Sequence, residues 1–143
     1  MMNGREPRSM TLYRMQIEVD DRDLDELSHV SNVAYVRWIS DAATAHSASV
    51  GLPPLAYRER GAGFVVRSHH VEYLKPVVGG ATLRIDTRIV TMRMVSSERE
   101  TLVQAADGTL HARALSVWAF IDFATGKPTR IPPDVRERFA QSV

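Results

Sequence analysis

The sequence predicts an α+β fold in which one long central helix is wrapped by a five-stranded, mostly antiparallel sheet, with a short helix at the C-terminus. Three observations lead there. A clean two-residue alternation runs through YRMQIEV, residues 13–19. A single helical stripe follows between capping and breaking signals. The rest of the chain then reads as four more strand-like runs separated by short turn motifs.

In the first strand, Tyr13, Met15, Ile17 and Val19 fall on one face and Arg14, Gln16 and Glu18 on the other. An acidic loop comes next. Ser31 or Asn32 can cap the following helix, because a side-chain oxygen there accepts from unpaired N–H groups of the first turn. The helix is predicted from about Val33 to Val50, with an apolar stripe through Tyr35, Trp38, Ile39, Ala42, Ala43 and Ala45. Its alanines favour the helix and permit close approach to a sheet. Gly51 stands where a helix-ending glycine belongs, and Pro53–Pro54 stops continuation. Phe64–Leu74, Ala81–Val90, Glu98–Ala106 and Leu110–Asp122 are the remaining predicted strands. Val78–Gly80 reads as a turn, and Asp107–Gly108 as a hairpin turn. PPDVRERFA begins with proline, as a short helix does. Short connections favour antiparallel neighbours.

At 143 residues, residues 11–143 are expected to form a single domain, with residues 1–10 frayed. The net charge of +1 offers no electrostatic case for nucleic acid or an anionic membrane. The absence of cysteine removes disulfides, thiolate metal sites and a cysteine nucleophile. MMNGREPRSM lacks the apolar core of a signal peptide, and no apolar run nears the ~20 residues of a membrane span. A cytoplasmic location is the expectation.

The spacing of the acidic residues and histidines argues against a metal site. Asp21, Asp23 and Asp25 alternate as in a calcium loop, but Glu26 occupies the position that needs glycine and Asn32 the position that needs a bidentate glutamate. Adjacent His69 and His70 point to opposite faces of a strand and cannot chelate together. His46 and His111 carry no spacing signal. No metal or other cofactor is expected.

The run DLDELSHVSNVAYVRWI, residues 23–39, resembles the signature D-x-D-x-x-G-H-V-N-N-x-x-Y of hotdog-fold thioesterases, in both the bacterial 4-hydroxybenzoyl-CoA thioesterase branch and the plant acyl-carrier-protein thioesterases. VGLPP, FVV, VEYLKPVVGGATLRIDT and the stretch DGTLHARALSVWAFIDFATGKPTRIP resemble later segments of the same family. In that fold the long helix is the sausage and the antiparallel sheet the bun. Ser28 and Ser31 depart from the usual glycine and first asparagine, while Asn32 keeps the second. Leu27 stands where plant relatives carry a proposed catalytic asparagine.

The resemblance implies hydrolysis of an acyl-CoA or acyl-carrier-protein thioester by a homodimer or homotetramer. A thioester carbonyl is already activated, so the chemistry needs a nucleophile or base and something to receive the developing oxyanion. The positive end of a buried helix meets the second need. By match to the motif, Asp25 is nucleophile or general base, and His29 orients the thioester or assists the departing thiolate. The polarising amides are expected around Ser28, Val30, Ser31 and Asn32. Asp23 is expected to support the loop, while Asp20, Asp21 and Glu26 are solvated charge. Tyr35, Trp38 and His70 are candidates for an acyl pocket, and Lys75, Arg84, Arg88, Arg93 and Arg99 for the phosphates of coenzyme A. Two alternatives stand beside hydrolysis. One is a non-catalytic thioester-binding domain of the same fold. The other is a hotdog hydratase or dehydratase, which uses an aspartate and a histidine with four residues between them, whereas three residues separate Asp25 from His29 here and five separate Asp23 from it.

Overall fold

The computed structural model describes residues 10–140. The expected frayed N-terminus lies outside them except for Met10, which forms a β-bridge with Ala140. The elements are β1 (Leu12–Glu18), a 3-10 turn (Asp21–Asp23), α1 (Asn32–Ser49), α2 (Pro54–Arg60), β2 (Ala62–Tyr73), β3 (Thr82–Met92), β4 (Ser96–Ala105), β5 (Leu110–Asp122) and α3 (Pro133–Phe139). All five strands join one sheet in the order β1-β3-β4-β5-β2, and every neighbouring pair is antiparallel. This is the hotdog arrangement, with α1 laid along the sheet.

Two expectations need correction. β2 and β3 are not neighbours: β2 pairs with β5 at one edge, and the connection after Tyr73 carries the chain across to β3. Val77 and Val78 in that crossover meet the loop before α1, where the Val30 amide donates to Val77 O at 2.9 Å and His29 bridges Val78. A helix, α2, also begins where Pro53–Pro54 was read only as a stop. Proline at the first helical position lacks the N–H that a helix start leaves unpaired anyway, so the signal that ends α1 equally starts α2. Gly61, at φ 74°, closes it.

Helix α1 takes the first of its two predicted caps, with Ser31 Oγ accepting from the Ala34 amide at 3.2 Å. Its C-terminus is followed by Gly51 at φ 89°. The buried stripe of Ala34, Tyr35, Trp38 and Ala42 packs on Leu83, Ile85, Val103 and Ala112 of the sheet. A second cluster joins Leu52, Ile89 and Phe120 to Ile131, Val135 and Phe139, so that α3 seals the far end.

A polar layer lies between these clusters. Arg99 Nη1 donates to His46 Nδ1 at 2.9 Å and to Thr87 Oγ1 at 3.1 Å, and Thr87 Oγ1 meets Thr101 Oγ1 at 3.0 Å. Arginine only donates, so His46 Nδ1 must accept and its proton sits on Nε2, facing Thr11 Oγ1 at 2.8 Å. Thr11 Oγ1 in turn donates to Phe139 O. Burial, reinforced by the Arg99 charge, pushes the His46 imidazole down from 6.5 to about 4. On the opposite sheet face the alternation in β3 holds. There Asp86 accepts from Arg14 Nε at 2.8 Å and from Gln104 Nε2 at 3.1 Å, and the Arg14 guanidinium holds its carboxyl below the usual carboxylate range.

Ile85→Ala, at a fully buried position in the middle of the sheet, should lower stability by about 2–5 kcal/mol in urea unfolding, whereas Val90→Ala on the exposed face should stay within about 0.5 kcal/mol. Because folded His46 titrates below its unfolded value, its stabilisation is complete above pH 6.5 and is lost as pH falls towards about 4. The difference between wild type and His46→Gln should narrow by about 3 kcal/mol across that window; a constant difference would mean that His46 takes up its proton within the fold.

Candidate active site

The loop between β1 and α1 is organised by one buried carboxylate. Asp23 is 5% exposed. Its Oδ2 accepts from the Asp20 amide at 2.9 Å, its Oδ1 accepts from Arg37 Nη2 on α1, and its main-chain carbonyl accepts from the Ser31 amide at 2.8 Å. Strand end, 3-10 turn, helix cap and helix surface thus meet at a single residue, the supporting role expected of it. Asp20 caps the 3-10 turn through the Arg22 amide, and that bond holds its carboxyl below the usual range. Asp20, Asp21 and Glu26 are exposed, as expected of solvated charge.

Residues 25–29 form a tight turn. The Asp25 amide donates to His29 O at 2.7 Å, and the Ser28 amide donates to Asp25 O at 3.0 Å. Asp25 Oδ1 accepts from the amides of Leu27 at 2.8 Å and His29 at 3.1 Å. Its Oδ2 has no partner among the described residues. The result is an exposed carboxylate aimed by its own loop, with one oxygen clipped and the other open to solvent or substrate. Asp25 and His29 are joined through the main chain, and no hydrogen bond links carboxylate to imidazole among the described residues.

Ser28 closes this turn at φ 61°, the one non-glycine residue with positive φ among those described. That is the left-handed region, which disfavours a Cβ and explains why glycine is usual at this position of the motif. The serine adopts the glycine geometry and keeps the turn.

The head of α1 sorts the expected oxyanion donors. The amides of Ser28, Val30 and Ser31 are taken by Asp25 O, Val77 O and Asp23 O. Ala34 donates to the Ser31 cap and Tyr35 to Ser31 O. The amides of Asn32 and Val33 are left without an acceptor among the described residues, at the positive end of the helix dipole. Of the four residues expected to polarise a carbonyl, only Asn32 retains a free amide; Val33 was not foreseen. The substitution Ser31 for asparagine preserves the cap, since a hydroxyl accepts there as well as an amide oxygen does.

Beside this head lies a cleft of about 330 Å³, lined by His29, Val30, Asn32 and Tyr35 on one side and by Tyr73, Leu74, Lys75 and Pro76, the end of β2 and its exit, on the other. Tyr35 packs edge-on against Tyr73 with ring centroids 5.1 Å apart, and burial pushes its hydroxyl up to about 12. Asp25 sits outside this lining on the shoulder of the loop. Trp38 does not reach the cleft; it is 5% exposed within the core. His70 is corrected as a pocket candidate. A bulge between Val66 and Ser68 shifts the strand's parity, turning His69 inward to Ser116 Oγ at 2.6 Å and leaving His70 exposed. Burial lowers the pKa of His69. Among the five proposed phosphate ligands, only Lys75 lines the cleft. Arg84, Arg88 and Arg93 pair with Asp86, Glu100 and Glu98, and Arg99 is buried. Tyr73, Leu74 and Pro76 were missed as site residues because VEYLKP reads only as the end of a strand.

Among the described residues no group of three or more histidine, cysteine, aspartate or glutamate side chains could hold a metal ion, and no helix is long and apolar enough to cross a membrane.

The sequence model of the thioesterase-like superfamily matches residues 19–139. The acyl-CoA thioester hydrolase YbgC of Escherichia coli is 28% identical over 131 residues, covering 92% of this chain and 98% of that protein. A thioesterase from Thermus thermophilus, solved with coenzyme A and Zn, is 30% identical, covers 88% of this chain and 90% of its own, and superposes with a TM-score of 0.76. A 1,4-dihydroxy-2-naphthoyl-CoA thioesterase from Synechocystis shares the fold at 15% identity and a TM-score of 0.83, over 90% of this chain and 96% of its own. The chain belongs to the thioesterase-like superfamily.

Ser28→Gly should relieve the left-handed strain and raise stability by up to about 1 kcal/mol without moving the loop. A loss of stability in thermal unfolding would mean that the serine hydroxyl contributes more than the strain removes.

Proposed function

We propose that the protein is an acyl-CoA thioesterase, hydrolysing R–CO–S–CoA to a carboxylate and free coenzyme A. The observation that carries this reading is the pairing at the head of α1: a carboxylate with one clipped and one open oxygen, on the same short loop that delivers the unclaimed amides of Asn32 and Val33. Membership of the superfamily and likeness to YbgC support it.

The chemistry follows from what each group can do. With the thioester carbonyl oxygen directed at the Asn32 and Val33 amides, charge gathering on that oxygen meets fixed N–H dipoles that need no reorganisation. Asp25 Oδ2 then acts on the carbonyl carbon in one of two ways. As general base it takes a proton from water as the water oxygen bonds to carbon. As nucleophile it bonds to carbon itself, and water cleaves the resulting anhydride. In both routes the C–S bond breaks and its electron pair leaves on sulfur. A thiol with pKa about 8.5 is a stable leaving group near neutrality, so little acid assistance is required. His29, at the cleft wall, orients the thioester or protonates the departing thiolate. Tyr35 and Tyr73 form the apolar wall beside the acyl group, and Lys75 is placed for a phosphate of the carrier, coenzyme A or the phosphopantetheine of an acyl-carrier protein.

The reading includes a cytoplasmic homodimer or homotetramer. β2 is a twelve-residue edge strand with no neighbour beyond it among the described residues, and the cleft opens beside its end. Pairing two such edges would cover exposed backbone and bring a second copy against the site. No cofactor is required, since the thioester supplies its own activation.

Asparagine at position 25 can still accept from the Leu27 and His29 amides, so Asp25→Asn should fold normally while losing about 10²–10⁴-fold in kcat against a panel of acyl-CoA and acyl-carrier-protein substrates. Lys75→Ala should raise KM for the CoA esters with little change in kcat. Undiminished turnover by Asp25→Asn would remove Asp25 from the mechanism. No hydrolysis of any substrate by the wild type would favour a binding domain instead.

A further inference from the structure

A second cavity, of about 260 Å³, lies under α2 against the C-terminal half of α1. Its walls are Leu52, Phe64, Ile89, Trp118 and Phe139, with Arg99 among them, and its mouth is formed by the exposed Thr44, Arg58 and Phe123. It shares no lining residue with the cleft at the helix head. Tyr35 and Ala43, the nearest α1 residues of the two sites, are about 12 Å apart along the axis, and Trp38, Ile39 and Ala42 between them are buried.

The polar groups of this cavity are unbalanced. Arg99 is 4% exposed, yet no carboxylate pairs with it among the described residues. Its Nη1 is used by neutral His46 and by Thr87, while Nε and Nη2 have no hydrogen-bond partner among the described residues. Trp118 Nε1 is buried without an acceptor. The hydroxyls of Ser47 and Tyr57 bond to each other and to the main chain, and neither bonds to Arg99 or Trp118. Ser47 Oγ donates its one proton to Leu52 O at 2.7 Å, so Tyr57, 2.7 Å away, must donate to Ser47. No acidic residue lines the space. Arg99 thus brings a buried, unpaired positive charge to a largely apolar cavity, an arrangement that is costly until an anionic acceptor arrives.

We propose that this cavity is a binding site for a small amphipathic monocarboxylate, whose carboxylate accepts from Arg99 while its hydrocarbon body lies against Phe64, Ile89, Trp118 and Phe139. A carboxylate is an acceptor-only group that suits the unused donors of Arg99, and its charge supplies the counter-ion Arg99 lacks. At about 30 Å³ per water-sized group the cavity holds roughly eight or nine non-hydrogen atoms: three for the carboxylate and about six carbons of apolar body. Heptanoate and benzoate are that size. The site is argued from these residues alone and does not depend on the thioesterase reading.

The test uses the chain's two tryptophans as reporters. In ¹⁵N-labelled protein, heptanoate or benzoate should shift the Trp118 indole N–H saturably and leave that of Trp38 in place. Benzyl alcohol, similar in size but uncharged, should bind at least about tenfold more weakly. Thr44→Phe, at the exposed mouth, should abolish the shift, and Arg99→Met should weaken binding by at least about tenfold if it folds. An unmoved Trp118 signal, equal affinity for benzyl alcohol, or a shift that survives Thr44→Phe overturns the proposal. So does a carboxylate response confined to the amides of His29 and Asn32, which would place the acid in the thioester cleft. Acyl-CoA turnover by Asp25→Asn tests the other site independently.

Discussion

The Asp23 carboxylate is the constraint from which the active-site loop follows. A carboxylate removed from water must find donors, and this one finds them on both sides of the loop: the Asp20 amide behind it and Arg37 on α1 ahead. Its own carbonyl holds the Ser31 amide, which fixes where the helix begins. With both ends of the loop anchored to one residue, the turn at residues 25–29 has few ways to close. Ser28 accepts a strained backbone because the surroundings leave it little choice. The result is a preorganised head: Asp25 aimed by its own amides, and Asn32 and Val33 left with N–H groups unspent.

The crossover from β2 to β3 completes this arrangement. Because β2 lies beside β5 at the edge of the sheet, its exit must travel back past the head of α1, and in doing so Val77 takes the Val30 amide. The same passage brings Tyr73 to Pro76 opposite His29 and Asn32. The cleft therefore arises from strand order as much as from the signature motif, with one wall supplied by each.

At the other end of the helix the molecule carries a different tension. Arg99 is packed beneath α1 beside a histidine that burial keeps neutral, so its charge is hydrogen-bonded but unpaired. A buried ion pair often contributes little to stability, and a buried charge without its partner contributes less. The far cavity and the helix head share a logic: in each, donors are held in advance for an acceptor the chain does not supply.

Much of the fold was legible in residue order. Two-residue alternation located β1 and β3, the stripe from Tyr35 to Ala45 located α1, and Ser31 or Asn32 and Gly51 marked its ends, because propensity, capping and periodicity act within a few residues. The motif spacing also singled out Asp25 and separated it from Asp23. What only the tertiary structure decided depends on non-local contact. The bulge in β2, defined by its pairing with β5, chose His69 over His70 as the inward histidine. The crossover determined which of the loop amides were consumed, leaving Asn32 and Val33. Arg99, one of several alternating arginines in the sequence, became a buried charge because β4 lies at the centre of the sheet beneath α1. A strand's period tells which residues share a face, but which face is covered, and by what, is set by partners distant in the chain.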